Sequence, residues 1–151
     1  MPIRPNLAVS HRFRVSIPAW NSTSSWESIS PIYDTSEVLK YSGVSIPDGD
    51  HYYAGKPTTN EVTFRRGMTE TRSLINWREA VLRHSVGIEI RPSGVVANVR
   101  IYSLDRAGNT VRIFTLIDGW PSEMVYSGLS ASSNTIAIEE MHFVYDRIEV
   151  L

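Results

Sequence analysis

Residues 98–150 constrain the fold more than any other segment, because they consist of strand patterns separated by tight, chemically specific turns. Residues 95–104 and 110–117 are two alternating runs joined by Asp105-Arg106-Ala107-Gly108-Asn109. Asp at the first turn position and Gly at the fourth predict a type I turn with a left-handed residue and a bulge. Asp118-Gly119-Trp120-Pro121 reads as a corner, 122–126 as a short strand and 127–134 as a loop of small residues. Residues 135–147 read as one long closing strand. Ile136, Ile138, Glu140, His142 and Val144 share one parity, and Ala137, Glu139, Met141, Phe143 and Tyr145 take the other. Such an ending belongs to a sheet protein, and nothing in it gathers catalytic residue types.

The remainder is also strand-rich. Phe13, Val15 and Ile17 alternate with Arg12, Arg14 and Ser16, which predicts a half-buried strand stopped by Pro18. Residues 1–10 hold two prolines and little periodicity and read as a flexible arm. Residues 21–25 read as a polar loop, and 25–32 and 34–42 as short strands. Residues 42–60, rich in Gly, Pro, Asp and Tyr, read as one loop, long enough to imply a function of its own. Val62 and Phe64 restart the alternation over 61–66, and Gly67 ends it. Leu74, Trp77 and Val81 recur at helical spacing and predict one helix over about 71–84. Thr69 or Thr71 is its expected N-cap, and Arg83 and His84 suit its C-terminal dipole. Residues 86–90 read as a short extended piece before Pro92-Ser93-Gly94. The sum is a mainly β, antiparallel barrel or sandwich of about eight strands with one flanking helix, in a single domain.

Several functions are excluded by what the 151 residues lack. There is no cysteine, hence no disulfide, thiolate metal site or thiol nucleophile. His11, His51, His84 and His142 have no metal-ligand spacing, and no Walker A, GxGxxG, GxSxG or SxxK pattern occurs. Adjacent Glu139 and Glu140 point to opposite faces of a strand, so they cannot act together as a glycosidase pair. A net charge of -1 offers no basic field for nucleic acid. Phe64-Arg65-Arg66 reads as strand-end charge beside a Gly turn more readily than as a single-strand nucleic-acid patch. No run of 18 apolar residues is present to span a membrane, and 1–6 has no secretory h-region.

Charge is distributed unevenly. Residues 1–20 carry Arg4, Arg12 and Arg14 and no acid, whereas 131–151 carry Glu139, Glu140, Asp146 and Glu149 against Arg147. A basic start and an acidic end suit a head-to-tail contact between copies, with Glu139 or Glu140 in an intersubunit ion pair; they equally suit pairing between neighbouring strands of one subunit.

In order along the chain, Phe13-Arg14-Val15-Ser16-Ile17, Glu37-Val38-Leu39-Lys40-Tyr41, Val62-Thr63-Phe64-Arg65-Arg66-Gly67-Met68-Thr69, Trp77, the 104–109 turn, Gly119-Trp120-Pro121 and Ile138-Glu139 are similar to landmarks of one family. The chain resembles the tail-tube proteins of contractile phages and phage-like contractile injection systems over about residues 12–150. It departs from them at 45–50, which is acidic and proline-containing where the family often has a basic, glycine-containing loop. The resemblance implies a structural, non-catalytic subunit without cofactor. Such subunits form hexameric rings that share an inner barrel and stack into a tube within a contractile sheath. It further implies baseplate and spike partners, a lumen for protein or DNA cargo, no membrane anchor, and assembly in a bacterial cytoplasm into a phage tail or an extracellular or anchored particle. Arg12, Arg14, Tyr52, Tyr53, Glu139 and Glu140 are the expected assembly residues, with 42–60 as an inter-ring contact. The alternatives are a tube-initiating or baseplate adapter of the same fold, and a monomeric OB- or lectin-like binding module; an enzyme has no motif in its favour.

Overall fold

The computed structural model describes residues 7–20, 22–24, 26–41, 49–85 and 95–151. The strands are β1 (Phe13–Ile17), β2 (Ser22–Ser24), β3 (Ser28–Ile29), β4 (Asp34–Tyr41), β5 (His51–Thr59), β6 (Val62–Gly67), β7 (Ala97–Leu104), β8 (Thr110–Tyr126), β9 (Ile138–Val144) and β10 (Arg147–Val150). One helix, α1 (Ser73–Ser85), lies between β6 and β7. Every strand pair is antiparallel. The mainly β architecture with one helix therefore stands. Residues 1–6 of the expected arm, 42–48 of the expected loop and the extended piece at 86–90 lie outside the described residues.

The 105–109 turn forms as its residues dictate. Asp105 Oδ1 accepts from the N–H groups of Ala107 and Asn109, both at 2.9 Å, and Gly108 adopts φ +88°. An Asp side chain bonded to the backbone two residues on, followed by Gly in the left-handed region, sets the hairpin register of β7 and β8.

Four local readings change. The Gly-Trp-Pro corner does not end a strand: β8 runs 17 residues straight through it. Its first half pairs with β7 and β10, and its second half pairs with β9. The expected closing strand instead divides in two, β9 and β10, around Tyr145 and Asp146. Both chains of this ribbon bend at the same level, and Asp146 N–H donates to Ile117 O there at 2.9 Å. The bend has two causes. Asp118 takes φ +54°, which Asp tolerates better than most residues, and Gly119 lets the ribbon press on Phe143. A Cβ at 119 would sit 2.1 Å from Phe143 Cζ. Residues 22–24, read as loop, pair with β1, and 51–59, also read as loop, pair with β4.

The bent ribbon turns one sheet into two facing halves, β2-β1-β7-β8-β10 and β8-β9-β6-β3. Between them lie Val15, Ile17, Val99, Leu116, Val62, Phe64, Met141 and Phe143, all essentially inaccessible. α1 closes the open side of this half-barrel. Its stripe Leu74, Trp77, Ala80 and Val81 is buried, and the Trp77 ring lies 5.7 Å from Phe143 and 6.0 Å from Trp20. Trp77 Nε1–H donates to Val95 O, so the indole is buried without losing its hydrogen bond. Arg78 donates to Pro121 O at 3.1 Å, satisfying a carbonyl on the β8 stretch that has no β7 neighbour. The helix begins later than expected: Asn76 N–H donates to Arg72 O, and Thr69 Oγ1 accepts from Thr71 N–H upstream of α1.

Candidate functional site

β4 and β5 form a separate two-stranded sheet that stands off the barrel. Every residue of β4 is exposed, and so is all of β5 except Gly55 and Thr59. Direct cross-strand partners share a face. Leu39 opposite Tyr53 and Tyr41 opposite His51 therefore occupy one face, while Val38 opposite Ala54 and Lys40 opposite Tyr52 occupy the other. Both faces thus carry large apolar groups in water, with Tyr52 at 66% and Val38 at 67% exposure. A two-stranded hairpin is marginal in water on its own, and exposed apolar surface of this extent marks an interaction site. Gly55 faces the bulge at Glu37, where a Cβ would come within 2.9 Å of the Glu37 Cβ.

The hairpin is fastened at its base to the bend of the barrel. Asn60 Oδ1 accepts from Tyr33 N–H and from the Tyr145 hydroxyl, both at 2.9 Å, while Asn60 Nδ2 donates to Pro31 O at 2.8 Å. Thr59 Oγ1 donates to Tyr145 O at 2.8 Å. Burial, with lesser contributions from the charge of Asp34 and from Tyr33, pushes the Tyr145 phenol up to about 12. Tyr145 lies between β9 and β10, so one residue serves both the ribbon's bend and the hairpin's anchorage.

The two carboxylates of β9 meet arginines of β6 in the same chain. Arg66 is the direct strand partner of Glu139, and Arg65 that of Glu140. Glu139 and Arg66 point inward, at 2% and 3% exposure, and form a buried ion pair, with the guanidinium 4.7 Å from the centre of the Trp26 ring. Glu140 points outward and meets Arg65 Nε at 2.9 Å. His142, on the same outer face, contacts Glu61 Oε1 at 2.8 Å through Nδ1. Within the chain these partners come from β6 and not from β1, so the basic start and the acidic end are not neighbouring strands of one subunit. A sequence signal was present: an Arg-Arg doublet and a Glu-Glu doublet on two strands of matched length can pair rung by rung. The strand-end reading fits Arg65, exposed two residues before β6 ends at Gly67, but not Arg66, whose side chain is buried.

Arg12 and Arg14 are exposed at and before β1. The Arg14 guanidinium lies 4.5 Å from the centre of the Tyr102 ring, a cation–π contact on the outer face of the first half-sheet. The six expected assembly residues therefore do not converge. Tyr52 and Tyr53 are on the hairpin, Arg12 and Arg14 on one half-sheet, Glu140 on the other, and Glu139 is inside. Among the described residues no group of three His, Cys, Asp or Glu side chains could hold a metal ion, and no helix is long and apolar enough to cross a membrane.

A bent β-ribbon wrapped into a half-barrel, closed by one helix and extended by a hairpin, is the fold of tail-tube proteins from contractile injection systems. The chain is 15% identical to a chain of the anti-feeding prophage tube-terminating cap, with a TM-score of 0.79 over 100% of this chain and 94% of that one. A chain of the sheath-tube complex of the extracellular contractile injection system PVC, in its extended state, gives 18% identity and a TM-score of 0.76 over 96% and 91%. A chain of the anti-feeding prophage baseplate gives 22% and 0.75 over 98% and 97%. No curated protein sequence matches this chain. The family described as T4-like virus tail tube protein gp19 matches residues 9–149, and the chain belongs to that family. It is a structural component of a phage or phage-like particle.

Proposed function

We propose that this chain is the inner-tube subunit of a contractile tail or injection particle, has no catalytic role, and assembles as hexameric rings stacked into a conduit. Family membership over nearly the whole chain carries this reading. The hairpin supports it, because a surface apolar on both faces needs a neighbour to cover it. In this reading the hairpin makes the inter-ring contact, and Arg12, Arg14 and Glu140 lie at subunit boundaries. Glu139 contributes from within by holding Arg66 and the β6–β9 register. The sheath and baseplate are the outer partners, and the lumen takes protein or DNA. Assembly in a bacterial cytoplasm precedes incorporation into the particle.

Negative-stain microscopy and sedimentation of the purified protein test the proposal. Hollow rings and tubes are the expected result, and a 17 kDa monomer at all concentrations contradicts it. Replacing residues 36–57 with an Asn-Gly turn leaves folded subunits that form no tubes; normal tubes from that variant refute the role of the hairpin. The likeness to a cap chain favours a second reading, a tube-ending subunit of the same fold. A cap stops at single rings, whereas a tube subunit polymerises.

A further inference from the structure

Charge is segregated in the folded chain, although its net value is only -1. Residues 7–20, which include β1, and residues 95–117 of the β7–β8 hairpin carry Arg12, Arg14, Arg100, Arg106 and Arg112 against a single acid, Asp105. Asp105 is buried, and its side chain is taken by the N–H groups of Ala107 and Asn109. The five arginines are exposed. Among the described residues none of the five meets a carboxylate, whereas Arg65, Arg66, Arg72 and Arg147 each do.

Strand register gathers these charges. Val15, Ile17, Val99 and Ile101 turn to the core, so Arg14, Ser16, Arg100 and Tyr102 turn outward. Arg14 faces Tyr102 and Ser16 faces Arg100, which sets the two arginines on a diagonal of about 7–8 Å. Arg12 is two residues, or about 7 Å, from Arg14 along the chain. Arg112, opposite Ser103, and Arg106, in the turn, carry the charge to the end of the hairpin. Ile113, opposite Tyr102, lies half-buried among them.

We infer that this arginine strip is the docking surface for an acidic polypeptide other than a copy of this chain. Unpaired guanidinium groups concentrated on one side create a local positive field that the net charge conceals. Each can grip a carboxylate through two parallel hydrogen bonds. Arginine set among aliphatic and aromatic side chains is the composition of a protein–protein contact. A single-stranded nucleic acid instead needs open aromatic faces for its bases, and the Tyr102 ring is covered by Arg14 at 4.5 Å. A second copy is a poor match, because on the outer face of its other half-sheet Glu61 is held by His142 and Glu140 by Arg65. Arg12 and Arg14, which the tube reading sets at subunit boundaries, form the margin of the strip, and Arg100, Arg106 and Arg112 form its body. The inference goes beyond the tube reading and does not rest on it.

Labelled poly-L-glutamate is the probe, with binding followed by fluorescence anisotropy at low salt. The wild-type chain binds it, and Arg100→Glu with Arg106→Glu lowers the affinity at least tenfold. Both positions are exposed, so the fold is retained, as an unchanged thermal melt verifies. Arg72→Glu with Arg83→Glu, at exposed positions of α1, makes the same change in net charge and leaves the affinity within about twofold. Equal losses in the two variants trace the binding to overall charge and overturn the strip. So does a wild-type chain that fails to bind, or one that holds single-stranded oligothymidylate more tightly than poly-L-glutamate. If the wild-type chain polymerises and Arg100→Glu with Arg106→Glu does not, the strip is a contact between copies, and this inference falls while the tube reading stands. If no chain polymerises and the binding pattern holds, the tube reading fails and the strip stands.

Discussion

Glu139 and Gly119 show how much of the barrel depends on single atoms. Removing one partner of a buried ion pair is costly because the other charge loses its compensation. Glu139→Gln therefore destabilises the chain by about 3–5 kcal/mol in urea unfolding, and Arg66→Met with Glu139→Leu recovers most of that loss. If Glu139→Gln unfolds at the wild-type midpoint, the pair contributes nothing. Gly119→Ala places a methyl where the Phe143 ring lies and costs about 1–3 kcal/mol, read from the same transition. Tyr145 sets a pH dependence whose sign follows from its raised pKa. An unfolded phenol ionises near 10, whereas the folded one holds its proton to about 12. The stability Tyr145 contributes is thus complete below pH 10 and is lost as pH rises from 10 to 12. Thermal melts across that window should fall more steeply for wild type than for Tyr145→Phe, and parallel curves would disprove the assignment.

Helix α1 and the hairpin are governed by opposite balances. α1 is held by packing: Trp77 is fully buried between Phe143 and Trp20, so Trp77→Ala costs about 3–5 kcal/mol and opens the barrel's side. The hairpin buries almost nothing in its own chain and is fastened mainly at its base, by Asn60 and Thr59. Asn60→Ala removes several of those bonds at once. Amide exchange in β4 and β5 should then accelerate at least tenfold while β6 and β9 keep their protection; equal acceleration in all four strands would show that the latch belongs to the core. The helix was legible in the sequence because Leu74, Trp77 and Val81 repeat at its own period. β5 was not, because Gly55, Lys56 and Pro57 give its nine residues no alternation of apolar and polar faces. An element exposed on both sides has no pattern for burial to impose.

For the assembled particle, exposed charges decide how polymerisation responds to salt. Arg12 and Arg14 are exposed, and screening weakens contacts between exposed charges. If both lie at a subunit boundary, polymer yield falls as salt rises, and Arg12→Ala with Arg14→Ala removes part of that dependence. An unchanged salt profile in pelleting assays places them elsewhere. Among the described residues β2, β3 and β10 stand at sheet edges, which is the condition that ring formation between copies would relieve.

Local chemistry in the chain determined β1, β6, β7, the Asp105–Asn109 turn and the helix, because turn type and side-chain period are short-range properties of neighbouring residues. It also carried the family likeness, in the order of landmarks from Phe13 to Ile138. Other features depended on contacts between residues far apart in sequence. The bend that splits residues 135–147 into β9 and β10 needs Asp146 against Ile117 and Gly119 against Phe143. The fate of Glu139 and Glu140 needs the β6 register, since one position of slip would exchange the buried carboxylate for the exposed one. Segments 51–59 and 127–134 both read as loops, and only the folded chain shows that the first is a strand paired with β4 while the second joins β8 to β9.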